Sequence, residues 1–298
     1  MKNYYNKVQM GITTRCNSRC VGCIRNRKTF EKIDLSIDLI HKIFEFKINT
    51  LLLIGTRGDA LFHPDFRSII TSCQEKVTDS LIVGTNGSGF NEEWWYDFAK
   101  STNKKVQVIF ALDGINNETH SKYRPTDFDK VYRNMKAFAE GGGKAVWQYI
   151  VFRHNERYMP IAKELSKLAG CSSIFFQRSF YYDDYLKPPI FLKDGKTINK
   201  KFVCDFLQNR KVYISADGFL FPCCYMPSSF YMGWNDRFLE PLLKLYEQQT
   251  KTLKNETFRN LINNSEFFNY FKNYKKERFC IRSCKPSTCW VNNKRIKK

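Results

Sequence analysis

The chain has 298 residues, enough to bury a substantial core as one large α/β domain or as that domain with a small appendage. Its hydrophobic fraction of 43% and aromatic fraction of 16% exclude wholesale disorder. The formal charge of +20 leaves nucleic acid, an anionic peptide and an acidic membrane surface open as partners, because excess Lys and Arg attract polyanions.

The same charge follows from a composition rich in Lys, Asn, Ile, Phe and Tyr, the pattern that AT-rich coding yields. Basic residues are spread along the chain, and only Lys294-Arg295-Ile296-Lys297-Lys298 forms a local run. The opening residues Met1-Lys2-Asn3-Tyr4-Tyr5-Asn6-Lys7 lack the apolar core of a signal peptide, and no apolar run approaches the roughly 18 residues of a spanning helix. The expectation is a soluble, cytoplasmic protein. In that reducing setting, 11 cysteines point to metal or cluster ligation rather than to disulfides.

Short β-branched runs alternate with amphipathic stretches over the first two thirds, the mark of repeated βα units and a parallel sheet. Strands are predicted at 7–13, 50–54, 80–84, 106–112, 145–152 and 173–177, and helices at 36–46, 64–74, 91–100, 128–140 and 158–168. Six βα units predict a partial (β/α)6 TIM-like barrel, open on one side. The alternation breaks at Tyr181-Tyr182-Asp183-Asp184-Tyr185 and Lys187-Pro188-Pro189. Beyond it, 211–221 reads as a β-hairpin turning at Asp217-Gly218, followed by helices at 256–263 and 266–275. The expected division is 1–200 and 201–298.

Directly after the first strand comes Thr13-Thr14-Arg15-Cys16-Asn17-Ser18-Arg19-Cys20-Val21-Gly22-Cys23. Three thiolates on one short loop can hold three irons of a cubane and leave the fourth without a protein ligand, an opening that suits chelation of a cofactor. Zinc or unliganded thiols are the alternatives, but structural zinc takes four protein ligands and no fourth Cys or His lies on this loop. In parallel barrels such a loop lies on the active-site face.

Cys-x-x-x-Cys-x-x-Cys in this position resembles the radical S-adenosylmethionine (SAM) superfamily. The resemblance implies that Cys16, Cys20 and Cys23 bind a [4Fe-4S] cluster whose free iron chelates SAM. Reductive cleavage of SAM then yields a 5′-deoxyadenosyl radical that removes a hydrogen atom from substrate. Gly55-Thr56-Arg57-Gly58-Asp59-Ala60 resembles the family's Gly-Gly-Glu-Pro segment, with Asp59 for Glu, Ala60 for Pro and Arg57 for the first Gly. Gly58 and Asp59 thereby become candidate SAM contacts, and an acidic helix N-cap is the other account of Asp59. Thr85-Asn86-Gly87 and Ala111-Leu112-Asp113-Gly114 resemble segments that border SAM, making Asn86 and Asp113 candidates, although Asn-Gly and Asp-Gly are turn dipeptides anywhere. Gly22 stands where many relatives carry an aromatic residue beside adenine.

Cys204, then Gly218-Phe219-Leu220-Phe221-Pro222-Cys223, then Cys280-Ile281-Arg282-Ser283-Cys284 resemble the SPASM/twitch extension. This implies one auxiliary [4Fe-4S] cluster on Cys204, Cys223, Cys280 and Cys284, with Cys289 as a competing ligand, Cys224 facing away from Cys223, and a structural zinc site as the alternative. Cys73 and Cys171 read as buried apolar residues. His63 and His120 are expected in polar surface roles. Relatives of this architecture modify peptides, mature sulfatases, oxidise amino sugars and cyclise a nucleotide. The leading expectation is peptide or protein side-chain modification, although the absence of a leader-binding domain before the barrel weighs against a large peptide. Oxidation or rearrangement of a nucleotide, an amino sugar or another anionic small molecule comes second. A reductant such as flavodoxin or ferredoxin is the implied electron donor. An iron–sulfur electron carrier and a zinc-containing nucleic-acid-binding protein are the non-enzyme readings.

Overall fold

The computed structural model describes residues 4–26, 28–179, 182–190, 210–224, 226–227, 240–248, 250–264, 266 and 269. Strands β1 (Tyr4–Met10), β2 (Lys47–Leu53), β3 (Ser80–Thr85), β4 (Val106–Ala111), β5 (Lys144–Val151) and β6 (Ser173–Arg178) lie side by side in chain order, every pair parallel. Between them run α1 (Ile37–His41), α2 (Phe66–Gln74), α3 (Glu92–Lys100), α4 (Asn117–His120), α5 (Phe128–Glu140) and α6 (Met159–Leu168). This is the expected partial (β/α)6 barrel. Among the described residues no helix is long and apolar enough to cross a membrane.

Helix starts follow their caps. The side chains of Ser36, Asn91 and Asp127 accept from Leu39, Trp94 and Lys130 amides at 3.3, 3.1 and 3.1 Å, closing otherwise orphaned donors. The helix expected over 36–46 is shorter, giving way to a 3-10 turn at Lys42–Glu45. β1 ends at Met10 rather than at Thr13, because residues 12–14 pair with a returning segment: the Leu35 amide donates to Ile12 O and the Thr14 amide to Ile33 O, both at 2.9 Å.

The strands present alternate faces. Leu81 and Val83 of β3 and Val106, Val108 and Phe110 of β4 are buried in the main core, where α3 and α5 contribute Trp95, Phe98, Val131, Met135 and Phe138. Trp95 sits at the centre, 4.8 Å from the Phe110 ring and 5.9 Å from that of Phe138, and its indole N–H donates to Gly89 O at 3.0 Å.

The expected hairpin is present as β7 (Lys211–Ile214) and β8 (Leu220–Phe221), antiparallel, with Gly218 at φ +87° in the turn. The sequence does not foretell that β7 joins the barrel sheet: it pairs in parallel with β1 from Lys7↔Lys211 to Met10↔Ile214, giving eight strands in the order β6-β5-β4-β3-β2-β1-β7-β8. An unpaired β1 edge would leave a row of backbone groups unsatisfied, and β7 covers it. Among the described residues two further helices follow, α7 (Glu240–Gln248), where no helix is expected, and α8 (Phe258–Asn264); the helix expected over 266–275 lies almost wholly outside the described residues. Phe258 of α8 packs its ring 5.7 Å from those of Tyr5 and Phe46, and Lys42 donates to Leu253 O at 2.6 Å, so this segment is fastened to the first βα unit.

Trp95→Ala removes the central ring of the core and is expected to destabilise the protein by about 3–5 kcal/mol, read from denaturant unfolding. A loss below about 1 kcal/mol would mean that the site repacks.

Candidate active site

Parallel strands bring their C-terminal ends, and the loops that follow them, to one edge of the sheet. The three-cysteine loop follows β1 and is fastened at its root, where Arg15 Nε meets Asp34 Oδ2 at 2.8 Å and Thr13 Oγ1 donates to Asp34 Oδ1 at 2.6 Å. Arg25 stitches the loop from inside by donating to the carbonyls of Thr14, Arg57 (2.9 Å) and Cys16 (3.4 Å). The loop after β2 lies directly against it. A Cβ on Gly58 would stand 2.2 Å from Thr13 O and 2.8 Å from Thr14 Cα, and the Asp59 amide donates to Arg15 O at 2.8 Å. Only glycine permits that approach.

Cys16, Cys20 and Cys23 line one cavity of about 200 Å³, together with Gly58, Asp59, Asn86, Arg25 and Arg124. Donors surround two of the sulfurs. The Ser18 amide and Asn86 Nδ2 lie 3.4 and 3.7 Å from Cys16 Sγ, while Ser18 Oγ and Arg124 Nη1 each lie 3.4 Å from Cys20 Sγ. Burial, with the Asp59 carboxylate nearby, pushes the Cys16 thiol up to about 11, and burial raises Cys23 as well. The protein alone therefore disfavours thiolates at these two positions, and a bound metal would have to displace their protons. Among the described residues no three His, Cys, Asp or Glu side chains converge on a point as ligands of a single ion would.

Asp59 meets both of its expected descriptions. It N-caps the 3-10 turn Ala60–Phe62, with Oδ1 accepting from the Leu61 amide at 3.1 Å, and it lines the cavity. Its Oδ2 accepts from Thr85 Oγ1 at 3.1 Å and from the Asn86 amide at 2.7 Å. Three of about four acceptor positions are thus taken within the protein. Asn86 is tied to the cysteine loop through Asn17 Oδ1 at 3.0 Å, and Asn17 returns a bond to Ser88 Oγ at 2.8 Å.

Asp113 stands apart from the other candidates. It is fully enclosed and does not line the cavity; Oδ2 accepts from Arg124 Nε at 2.9 Å and Oδ1 from the Ile150 amide at 2.7 Å. Burial pushes its carboxyl up, against the pull of Arg124 and the Ile150 amide.

The two histidines expected at the surface are buried instead, at 4% exposure for His63 and 0% for His120. His63 Nε2 bonds Leu35 O at 2.9 Å and its Nδ1 accepts from the Asp65 amide. His120 Nδ1 accepts from the Asp113 amide at 3.0 Å, and its Nε2 pairs with Thr126 Oγ1 at 2.9 Å. Both rings satisfy loop backbone, a task that a polar-residue expectation does not anticipate. Cys73 is buried in the core as expected, and Cys171 is half-buried against it. Cys204, Cys280, Cys284 and Cys289 lie outside the described residues; Cys223 and Cys224, at the end of the hairpin, are half-buried.

The sequence reading missed Arg25, Arg124 and Tyr213. The hydroxyl of Tyr213 lies 3.0 Å from Thr56 Oγ1, and burial pushes its pKa to about 12. Beside it Arg57 pairs with Asp217 at 2.7 Å, so the hairpin braces the loop after β2. No motif flags these contacts, since each joins residues far apart in the chain.

Two expectations follow. Gly58→Ala should displace the cysteine loop and lower iron content per chain toward about half, the loss of one of two clusters, while far-ultraviolet circular dichroism stays unchanged; full iron loading would refute the close-approach argument. His120 has its pKa lowered to about 3 by burial and by the neighbouring Arg124 charge, so it is neutral in the fold. Its contribution is present above the unfolded value of about 6.5 and is lost as pH falls from there toward the folded value. Between pH 6 and 4, wild type should lose up to about 1.4 kcal/mol per pH unit more than His120→Gln in denaturant titrations, and equal slopes would contradict this.

The family model described as the radical SAM superfamily matches residues 10–165, just over half of the chain. A curated relative, the Fe-coproporphyrin III synthase of Methanosarcina barkeri (strain Fusaro), is 27% identical over 184 residues, 58% of this chain and 44% of its own length, so the match spans less than half of that relative. Among solved structures, Streptococcus suis SuiB bound to S-adenosylmethionine superposes with a TM-score of 0.67 at 10% identity, over 95% of this chain and 71% of that one. Native anSMEcpe with bound AdoMet gives 0.61 at 15% identity, over 94% and 88%. At these identities the structural likeness speaks to the fold, and it includes the C-terminal region as well as the barrel. The family match covers the cysteine loop and the loops after β2, β3 and β4 that enclose the cavity: the chain belongs to the radical SAM superfamily.

Proposed function

We propose that Cys16, Cys20 and Cys23 hold the SAM-binding cluster and that the enzyme abstracts a hydrogen atom from a peptide or protein side chain. The observation that carries the first part is the composition of the cavity: three thiols line it, and among the described residues no other Cys and no His does. The fit is further supported by Arg25, which lines the same wall and whose Nε is buried without a partner among the described residues, a donor suited to an anionic group bound there. When bound, the cluster supplies the electron that cleaves SAM and generates the hydrogen-abstracting radical.

The chain's own residues orient and exclude. Asn86 and Ser18 donate toward the sulfurs, Asp59 keeps an acceptor position for the SAM ammonium, and Gly58 lets the two loops close over the cavity. Asp113 acts through Arg124, from whose Nε its carboxylate accepts at 2.9 Å.

A peptide substrate is supported by the structural likeness to SuiB, solved also with its precursor peptide SuiA. An anionic small molecule is the second reading, supported by the +20 charge and by the relative named for the synthesis of an iron coproporphyrin. An auxiliary [4Fe-4S] cluster on Cys204, Cys223, Cys280 and Cys284 would accept an electron from the substrate radical if all four bind, or anchor substrate at an open iron if three do. A flavodoxin or ferredoxin supplies the electrons.

The test is anaerobic reconstitution with iron and sulfide analysis, then reduction in the presence of SAM. Wild type is expected to form 5′-deoxyadenosine, and the triple Cys→Ala variant at positions 16, 20 and 23 to form none and to bind about half the iron. Unchanged nucleoside formation by that variant would overturn the ligand assignment, and none from fully loaded wild type would overturn the activity. Mass shifts of candidate peptides against anionic small molecules decide between the two substrate readings.

A further inference from the structure

One buried cation reaches a cysteine sulfur of the cavity. The Arg124 side chain is only 13% exposed, and its guanidinium spans two groups: Nη1 donates to Cys20 Sγ at 3.4 Å, and Nε to Asp113 Oδ2 at 2.9 Å. Every part of this bridge is fixed. Asp113 is held by the Ile150 amide on its carboxylate, by Asn155 Nδ2 on its carbonyl at 2.8 Å and by its own amide on His120. The Arg124 amide bonds His120 O at 3.1 Å, and Tyr123 O receives the Val21 amide at 2.9 Å, so the loop carrying Arg124 is locked to the loop carrying Cys20. Of the other arginines lining this cavity, Arg25 spends its terminal nitrogens on backbone carbonyls and Arg57 pairs with Asp217; Arg124 donates directly to a sulfur.

Reduction of an iron–sulfur cluster adds one negative charge, and hydrogen bonds to ligand sulfurs and nearby net charge set its potential. Out of water, a fixed cation within contact of a ligand sulfur stabilises the reduced form far more than a solvated one would. A fixed anion behind that cation trims the effect.

We propose that Arg124 is a positioning residue that holds a positive charge against the Cys20 sulfur and raises the reduction potential of the SAM-binding cluster, with Asp113 as the counter-charge that limits the rise. The inference rests on Cys16, Cys20 and Cys23 being the cluster ligands. It assigns Asp113, expected from the sequence at the SAM ribose or substrate, to the tuning of the cluster.

The test is a redox titration followed by electron paramagnetic resonance, on anaerobically reconstituted full-length protein without SAM. Wild type is compared with Arg124→Gln, Arg124→Lys, Asp113→Asn and the Arg124→Gln/Asp113→Asn double variant, each after iron and sulfide analysis. Arg124→Gln is expected to lower the ratio of reduced to oxidised cluster about tenfold at a fixed solution potential, about 59 mV for one electron. Arg124→Lys keeps the charge and most of the potential. Asp113→Asn shifts it the opposite way, upward, and the double variant lies above Arg124→Gln alone because the two charge changes offset. A purely structural bridge would change cluster content without shifts of opposite sign. Loaded Arg124→Gln with the wild-type potential overturns the proposal, as does a downward shift in Asp113→Asn; should Arg124→Gln fail to load, Arg124→Lys and Asp113→Asn decide by the same signs. Wild type whose potential and iron content are unaffected by removing the three cysteines overturns the ligand reading, and this inference with it.

Discussion

The constraint on which the candidate site depends is the contact between two loops at the edge of the sheet. The backbone at Gly58 lies so near Thr13 and Thr14 that no side chain fits between them, and the Asp59 amide closes on Arg15 in the same step. Everything at the candidate site follows from that contact. The cysteine loop cannot fold back over the sheet, Arg25 finds the carbonyls of both loops, and Asp59 is delivered to the Asn86 amide. The third loop is then joined to the first through Asn86 and Asn17. Three loops from successive strands become one wall by main-chain and amide contacts, before any metal is considered.

The parallel sheet makes this possible because it delivers every loop to the same edge, and β7 completes it. Without the strand at Lys211–Ile214, β1 would present an open edge just before the cysteines. With it, Tyr213 and Asp217 reach the loop after β2 from the other side. The described part of the C-terminal region is thus a support for the site as well as the bearer of Cys223 and Cys224. A cavity rimmed by one buried and two half-buried thiols, a carboxylate and three guanidiniums is a costly arrangement for a protein to maintain without a bound partner. Its donors on the sulfurs and its orphaned Arg25 nitrogen are those that an anionic, sulfur-ligated group would satisfy.

Much of this was legible in the sequence, for reasons that differ by element. The βα alternation is a periodic signal carried by many residues, so it located all six barrel strands within a few positions and α5 at its observed ends. The cysteine spacing is a local signal, and the loop it marks does line a cavity. Gly58, Asp59 and Asn86 were legible because each follows a strand, where a site is expected. What could not be read were contacts between distant residues. Arg124 is 104 positions from Cys20, and nothing in Thr119-His120-Ser121-Lys122-Tyr123-Arg124 marks the arginine over the histidine, which holds loop backbone instead. The pairing of β7 with β1 was hidden for the same reason: a hairpin announces its own turn but not the edge it will cover. At Asp113 the motif marks the position but not the partner, since the side chain pairs with Arg124, 11 residues further on.

The central claim, that three cysteines bind a cubane and leave one iron free for SAM, is tested most directly by Mössbauer spectroscopy of isotopically enriched, oxygen-free protein before and after SAM is added. The account predicts that the signal of a single iron in the SAM-binding cluster changes on addition, and that the change vanishes with the cluster when Cys16, Cys20 and Cys23 are replaced. A spectrum indifferent to SAM, or a cubane at these cysteines with a side chain on every iron, would contradict it.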